Sequence, residues 1–425
     1  MAVGVADKSV YVYDVISGAQ KLCMEGDNGV PHGGEAGFFR SEVLSGQPSA
    51  AGRVYISGTN NGVVKFTDLA TGAVTQIRGH GYGVGVGLVA LASGDDAIAA
   101  TALYGRSPLK GTTVVVWNTR APQSAASSFI VDRPLWCAAL SPDGRYFYGG
   151  GEETALEVEA ALEAETCARS RRRRRCRRPE GVIVVYATGK RRGGGGGGGG
   201  GGASVRAVLR GHGLCVKTLC VSDDGALLLS ASWDGTARIW AAHHSGSSAR
   251  AAGAAAAAAA AAATGGECLH RLCRSGGGGG GNSSSGGRRG SGGGGADGGR
   301  GICTAAFARG REWAVTGACD GAFHIWCARS GRCLASLDTP DFTRARAPVP
   351  LAVGGAARQL LALAIGNCAH VLDLGVLYEE ARARGVGDTG LGEYLRCSLR
   401  YLLKARSAAA EAVPGGRGAA AKAPS

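Results

Sequence analysis

Residues 210–240 have the sequence RGHGLCVKTLCVSDDGALLLSASWDGTARIW, and this stretch decides the fold. Three short runs rich in Val, Leu and Ile, at 216–221, 226–232 and 236–240, are separated by an Asp-Asp-Gly turn and a Trp-Asp-Gly turn. Such runs are typical of half-buried strands, and Asp-Gly supplies the positive φ that tight hairpins require. One three-stranded meander cannot bury both of its faces, so the sequence predicts that the chain repeats it.

The repeat is measured by the offset between a turn residue and the residue that closes the following strand. In the stretch above, Asp234 precedes Trp240 by six residues. The same offset joins Asp7 to Tyr13, Asn60 to Phe66, Gly111 to Trp117, Glu180 to Tyr186, Asp320 to Trp326 and Gly366 to Leu372. The turn residue is Asp, Asn, Gly or Glu each time, which suits a tight reversal. The sequence therefore predicts seven similar units, six of them closed by an aromatic residue.

These units resemble the repeats of the WD40 family, which folds as a β-propeller of four-stranded blades with Gly-His and Trp-Asp signatures about 40–45 residues apart. The resemblance implies an all-β, seven-bladed propeller over residues 1–374. The family also has a buried hydrogen-bond chain of His, Ser or Thr, Asp and Trp within a blade. By resemblance, that chain is His212, Ser232 (or Ser230), Asp234 and Trp240.

Two other units carry weaker equivalents of this hydrogen-bond chain. One has His80 and Trp117 but no Asp at the turn, and the other has Asp320 and Trp326 but no preceding Gly-His. In the family these residues are structural, so we expect none of them to be catalytic. By position, family members expose contacts for partner proteins where this chain has Tyr82, Arg133 and Trp136.

Several segments are predicted to interrupt or follow the blades. A charged insertion occupies 154–180, a glycine linker 193–202, and two low-complexity insertions 245–265 and 274–300. The Gly-, Ala- and Ser-rich segments lack the apolar content of a core, so we expect them to be disordered. A helical tail is predicted at 377–406, followed by a disordered end at 407–425.

The strands are predicted less clearly in the first two units than in the later ones. The first unit begins with a middle strand, and residues 24–50 of the second unit look irregular because they contain Gly, Pro and His. The segments ECLHRLC (267–273) and SGRCLASL (330–337) are predicted to be outer strands. These assignments leave the edges of the first two units less well defined than the rest.

One apolar stripe marks the second half of the helical tail. It consists of Leu391, Tyr394, Leu395, Leu399, Leu402 and Leu403. Their spacing of three or four residues places them on one face of a helix. The favoured interpretation is that this helix docks on the propeller, and the alternative is that it offers its stripe to a partner.

The net charge of +14 belongs mainly to one segment. Residues 169–192 contain eleven Arg or Lys and one Glu, which leaves +4 for the rest of the chain. The densest part is Arg171, Arg172, Arg173, Arg174, Arg175, Arg177 and Arg178. Such a run is a candidate nuclear-targeting or nucleic-acid patch, although it has no interleaved aromatic residues for base stacking.

The fourteen cysteines are mostly single and lie in apolar strand patterns, with no C-x-x-C pair. This pattern predicts reduced thiols in an intracellular protein, with disulfides as the alternative. The histidines do not cluster with cysteines at ligand spacing, so no metal site is predicted. The first residues lack a basic and then apolar leader, which favours a protein that is not secreted.

No enzymatic constellation is found in the sequence. There is no phosphate-binding G-x-x-x-x-G-K-[ST] motif, and the adjacent Asp223 and Asp224 suit a turn better than an acid–base pair. No run of about 18 apolar residues suggests a membrane span. We therefore expect a non-enzymatic, cytoplasmic or nuclear scaffold that binds other proteins without a cofactor. The alternative is a nuclear RNA- or ribosome-assembly-associated propeller that uses the Arg-rich insertion.

Overall fold

A computed structural model of the chain describes residues 2–4, 10–14, 19–24, 43–49, 52–80, 85–93, 98–103, 111–123, 125–153, 179–188, 204–242, 266–273, 301–338, 351–354, 359–365, 368–387 and 389–411. These residues belong to two units, Met1–Arg274 and Ser275–Ser425. Tyr82, the Arg171–Arg178 run and most of the Gly-, Ala- and Ser-rich insertions lie outside the described residues.

The described part of the first unit folds into five antiparallel sheets that follow one another along the chain. The first sheet contains β1 (Ala2–Gly4), β2 (Val10–Tyr13) and β3 (Gln20–Met24). The second contains β4 (Val43–Pro48), β5 (Val54–Thr59), β6 (Val63–Asp68) and β7 (Val74–Arg78). The third contains β8 (Val86–Leu91), β9 (Ile98–Leu103), β10 (Thr112–Asn118) and β11 (Ala125–Val131).

The fourth and fifth sheets repeat the same four-stranded meander. The fourth contains β12 (Leu135–Leu140), β13 (Tyr146–Glu152), β14 (Gly181–Ala187) and β15 (Ser204–His212). The fifth contains β16 (Val216–Val221), β17 (Leu227–Ser232), β18 (Thr236–Ala241) and β19 (Cys268–Cys273). The strand β19 pairs with β18, so the predicted outer strand at 267–273 is confirmed.

From the second sheet to the fifth, successive sheets of the first unit pack face against face. Their first strands lie side by side, β4 against β8, β8 against β12 and β12 against β16. Middle strands such as β6 and β14 are buried over nearly their whole length because they have a sheet on either side, whereas the outer strand β7 alternates between exposed and half-buried residues. This succession of radially packed meanders is a β-propeller arrangement, with apolar clusters between neighbouring sheets.

The second unit continues the pattern and then changes to helices. Its first sheet contains β20 (Ile302–Ala308), β21 (Trp313–Ala318), β22 (Ala322–Cys327) and β23 (Cys333–Asp338), and its second contains β24 (Leu351–Gly354), β25 (Leu360–Ile365) and β26 (Cys368–Asp373). Two helices follow, α1 (Leu374–Ala383) and α2 (Leu391–Glu411). The strand β23 pairs with β22, which confirms the outer strand predicted at 330–337.

The C-terminal helices are docked within the second unit. Asp373 caps α1 by accepting hydrogen bonds from the backbone N–H groups of Gly375 and Val376, as N-cap residues do. Leu395, Leu399 and other members of the α2 stripe are buried in the cluster that also contains residues of β22 and β23. The docking interpretation of the apolar stripe is therefore confirmed.

The helical boundaries differ from the predicted ones at both ends. The first helix begins at Leu374 rather than at residue 377, because Asp373 provides the cap. The second helix continues to Glu411, so residues 407–411 are helical and the predicted disordered end at 407–425 was placed too early. The run Ala408, Ala409, Ala410 and Glu411 consists of strong helix formers, which explains the extension.

The predicted count of seven four-stranded blades is not confirmed. Among the described residues, five sheets have four strands each, whereas β1–β3 and β24–β26 form sheets of three. The turn-to-aromatic offset does not determine how many strands a blade has, because it depends only on the two strands on either side of one turn.

The second sheet corrects two predictions. Residues 43–48, within the segment predicted to be irregular, form the edge strand β4, and its Pro48 stands at the strand end, where a missing N–H is tolerated. Where β5 pairs with β6, Ser57 lies opposite Lys65 and Tyr55 lies opposite Thr67. Thr67 therefore has the position in the second sheet that Trp240 has in the fifth. Phe66 points to the other face and packs edge-on against Trp117 of the third sheet, with 5.8 Å between ring centroids.

One disulfide bond corrects the prediction of reduced thiols throughout. Cys303 of β20 is bonded to Cys319, which directly follows β21, and their Cα atoms are 6.0 Å apart. Their separation of 16 residues in sequence conceals this proximity, which arises from the antiparallel pairing of β20 with β21.

Candidate functional site

A buried hydrogen-bond chain crosses the fifth sheet. Trp240 on β18 donates its indole N–H to Ser230 Oγ on β17 at 2.8 Å, and Ser230 Oγ lies 2.7 Å from His212 Nε2. On the other side of the imidazole ring, His212 Nδ1 lies 3.1 Å from Asp234 Oδ2. Because a carboxylate only accepts, His212 Nδ1 carries the proton and Nε2 accepts from the Ser230 hydroxyl. The chain therefore has one consistent direction from Trp240 to Asp234.

Asp234 links this chain to the backbone of two loops. Its oxygens also accept hydrogen bonds from the N–H of Gly213 at 2.8 Å, and from the N–H and hydroxyl of Thr236 at 2.8 and 2.7 Å. Burial alone would raise the pKa of Asp234, but the hydrogen bonds from His212, Thr236 and Gly213 outweigh it and hold this pKa far below its usual value. The adjacent Gly235 has a φ of 78°, which explains why glycine follows the turn aspartate.

The serine of the chain is Ser230 rather than Ser232. Ser232 Oγ instead donates to the carbonyl of Leu214 at 2.8 Å and accepts the N–H of Asp234 at 3.1 Å. The two serines are two positions apart on one strand and so face the same side of the sheet. Only the pairing of Leu228 with Trp240 brings the indole within reach of Ser230, and this register is not visible in the sequence.

The third sheet contains a shorter version of the same chain. Trp117 donates its indole N–H to Thr101 Oγ1 at 2.8 Å, and Thr101 Oγ1 lies 2.9 Å from His80 Nε2. His80 Nδ1 has no hydrogen-bond partner among the described residues. Burial lowers the pKa of His80 to about 4, so the ring is neutral near pH 7. A Cβ at Gly79 would collide with the Trp117 indole, which is why glycine precedes this histidine.

In the second unit, the described residues of the sheet β20–β23 keep the first step of the chain, from a tryptophan to a hydroxyl group. Trp326 donates to Thr316 Oγ1 at 2.9 Å, and Asp320 Oδ1 accepts the N–H of Ala322 at 3.2 Å within its turn. The ring of His324 stacks on Trp326 with 5.5 Å between centroids. His324 occupies the position of Arg238 in its sheet, so it is not the counterpart of His212.

A cluster of two indoles and one cation lies where the fourth and fifth sheets adjoin. Lys217 Nζ is 4.0 Å from the ring centroid of Trp136 and 4.1 Å from that of Trp233. Trp136 lies near the start of β12, Lys217 near the start of β16, and Trp233 in the turn between β17 and β18. The side chain of Trp233 is 50% exposed. We call these three residues the Trp–Lys–Trp cluster.

Two β-bulges position Trp136 and Lys217 in this cluster. Leu135 pairs with Gly151 and Cys137 with Gly150, so Trp136 is the extra residue between them. In the same way, Lys217 is the extra residue between Val216 and Thr218. An extra residue in a bulge leaves the regular ladder, and its side chain is re-aimed. Leu44, Gly87 and Cys303 occupy the corresponding bulge positions of β4, β8 and β20.

The structure separates the three residues predicted to contact partners. Trp136 belongs to the Trp–Lys–Trp cluster, and Tyr82 lies outside the described residues. Arg133 is only 9% exposed, and its carbonyl accepts the hydroxyl of Thr112 at 3.1 Å. Sequence reasoning missed Lys217 and Trp233, because register alone identifies Lys217 as a bulge residue and Trp233 was assigned only to a turn.

Neither a metal centre nor a membrane span is found in the described part of the chain. No group of three or more His, Cys, Asp or Glu side chains there is arranged to hold a metal ion. Neither described helix combines the length and the apolar character that a membrane crossing requires. The absence of a cofactor stays a prediction.

Comparison with known families gives one match. The model of the family described as "WD domain, G-beta repeat" matches residues 203–241, which span β15 to β18. No curated protein matches the chain. The matched residues include the complete hydrogen-bond chain, and the sheets around them have the arrangement of a propeller. The resemblance to the WD40 family is therefore confirmed: the chain carries a WD40 repeat at residues 203–241 within a β-propeller arrangement of sheets.

Proposed function

We propose that this chain is a non-enzymatic scaffold that holds other proteins in a multiprotein complex inside the cell. In this proposal the propeller sheets serve as a framework, and partners bind to the side chains at the sheet edges. The observation that carries the proposal is the Trp–Lys–Trp cluster, which combines a half-exposed indole with a cation.

Energetic reasons support this surface as a contact for proteins. Tryptophan is among the residues whose truncation most weakens protein interfaces. The hydrogen-bond chains, in contrast, are buried between sheets, where they stabilise the fold and no partner can reach them. A propeller can therefore keep its framework constant while residues at its edges determine what it binds.

Affinity purification of the tagged full-length chain tests the scaffold. Proteins recovered with the wild type should be depleted at least about fivefold with Trp233→Ala, as expected for an interface aromatic. The matched control is Tyr401→Ala, which removes an aromatic side chain that is 73% exposed on α2. Partners that are retained equally by all three proteins would contradict the role of the cluster.

The second candidate function is nuclear RNA or ribosome-assembly association, and the arginine run at 171–178 supports it. Deletion of residues 169–192 would then abolish nuclear accumulation and reduce salt-dependent RNA binding, because released counterions drive such binding. If the deletion changes neither property, this candidate is wrong. This candidate would be favoured over the scaffold if the deletion abolishes RNA binding while Trp233→Ala captures the same partners as the wild type.

A further inference from the structure

The ammonium of Lys217 is held without using its hydrogen-bonding capacity. It lies over two indole faces, those of Trp136 and Trp233. Among the described residues Lys217 forms neither a hydrogen bond nor an ion pair. Cation–π attraction stabilises the charge, but an ammonium group has three N–H donors, and π faces do not replace an acceptor. The cluster therefore presents an oriented cation to an incoming anion.

The position of the cation is fixed from three directions. The bulge in β16 directs Lys217 out of its ladder, the bulge in β12 brings Trp136 alongside, and the Trp-Asp-Gly turn carries Trp233. That turn is itself anchored by the hydrogen bonds that Asp234 makes with His212 and Gly213. Pre-organisation of this kind reduces the side-chain entropy that a lysine otherwise loses on binding.

The charges around the cluster favour a single carboxylate over a polyanion. Lys217 and Glu152 act in opposite directions on the pKa of the buried Cys215 thiol, which burial raises to about 12. Nucleic acid binding relies on several cations along a phosphate backbone, whereas the cluster supplies one cation, the ammonium of Lys217.

We propose that the Trp–Lys–Trp cluster binds an acidic peptide of a partner protein. An Asp or Glu carboxylate of the peptide accepts hydrogen bonds from Lys217, and a neighbouring aromatic or aliphatic side chain packs on the exposed face of Trp233. This inference rests on the proposed scaffold function and adds the chemistry of the partner. The occupant is a segment of another protein, and the glutamates of this chain's own insertion are the alternative to be tested.

The test uses the full-length chain with ¹⁵N-labelled tryptophan and follows the indole N–H signals of Trp136 and Trp233. The probes are acetyl-Glu-Phe-amide and its matched neutral partner, acetyl-Gln-Phe-amide. We expect the Glu peptide to bind about fivefold more tightly than the Gln peptide, the size of effect typical of a half-exposed ion pair. Lys217→Met should remove this preference while leaving both indole signals in folded positions.

Lys21→Met is the matched control, because Lys21 is an exposed lysine paired with Asp14 in the first sheet. It should keep the full preference for the Glu peptide. Equal affinities of the two peptides for the wild type, or a preference that survives Lys217→Met, would overturn the proposal. Tighter binding of decauridylate than of the Glu peptide at the same two indoles would overturn it in favour of RNA.

Two further measurements separate the sources of a negative result. If the Glu peptide binds only after residues 154–178 are deleted, the chain's own acidic segment occupies the cluster and the proposed partner peptide is wrong. If Trp233→Ala loses the captured proteins but Lys217→Met retains them all, the scaffold function stands and the acidic chemistry is wrong. Parallel loss with both variants supports the proposal.

Discussion

The third and fifth sheets contain the same tryptophan–hydroxyl–histidine chain but differ in how the histidine ends it. In the fifth sheet His212 meets Asp234, whose carboxylate binds the ring and two loop segments. In the third sheet His80 has only Thr101 among the described residues, and burial keeps it neutral. One sheet thus stabilises its histidine by a hydrogen-bonded charge and the other by excluding charge. The two sheets should therefore respond differently to acid and to substitution.

Mild acid should produce the largest difference in stability between the third and fifth sheets. The folded pKa of His80, about 4, lies below the unfolded value of 6.5, so the unfolded chain binds a proton first as the pH falls. The contribution of neutral His80 is complete above pH 6.5 and disappears progressively down to about pH 4. A shift of this size corresponds to roughly 3 kcal/mol. Urea unfolding at pH 7 and pH 4.5 measures the loss.

The control for this prediction is His80→Gln, which keeps a polar side chain but cannot titrate in this range. Its unfolding free energy should change much less between the two pH values than that of the wild type. Equal pH dependence in the two proteins would show that His80 is not the group responsible. Amide exchange should place the weakening in β8–β11 and leave β16–β19 protected.

Asp234→Asn should have the next largest effect, a loss of about 2 kcal/mol, because charged acceptors form the stronger hydrogen bonds. Asp224→Asn is the matched control, since Asp224 is exposed and accepts hydrogen bonds from the Ser222 hydroxyl and the Ala226 N–H within its own turn. It should cost less than about 1 kcal/mol. Chemical denaturation measures both, and equal losses would contradict a special role for Asp234.

The same aspartate should respond to acid in a lower range than His80. Its folded pKa is lowered, so its stabilisation is present above the unfolded value of 3.8 and is lost as the pH falls further. Exchange protection in the fifth sheet should therefore persist at pH 4.5 and decline below about pH 4. Simultaneous loss of protection in the third and fifth sheets would remove the distinction between them.

Substitution of the two serines of β17 should give a smaller difference. Ser230→Ala leaves both the Trp240 indole and the His212 ring without their shared partner, at a cost of about 2 kcal/mol. Ser232→Ala removes one hydrogen bond to a carbonyl and one from a backbone N–H, at about 1 kcal/mol. A larger loss with Ser232→Ala, measured by urea unfolding, would reverse the assignment made from the structure.

Local sequence signals predicted the strands and turns, because each turn lies within a few residues of the strand that it serves. They failed where cross-strand register decides. Asn60 and Asn61 suit the turn equally well, and the choice of Asn60 moved the closing position from Thr67 to Phe66. The bond between Cys303 and Cys319 also depends on pairing between strands that the sequence does not specify.

The candidate site was less predictable than the fold for a related reason. Trp136 was found by its position before a strand, but its two neighbours come from the next sheet. Nothing near Lys217 in sequence marks it as a bulge residue, since a bulge is defined by the partner strand. A contact between sheets is a property of tertiary packing, whereas the turn signals are local.

The bulges in the first strands separate two kinds of evolutionary change. At equivalent positions the chain has Leu44, Gly87, Trp136, Lys217 and Cys303, and the pairing on either side is the same each time. An apolar side chain, none at all, an indole, a cation or a disulfide-bonded cysteine is therefore compatible with the same ladder. Under the proposed function, substitution at these positions would change what the chain recognises while the strands on either side keep their pairing.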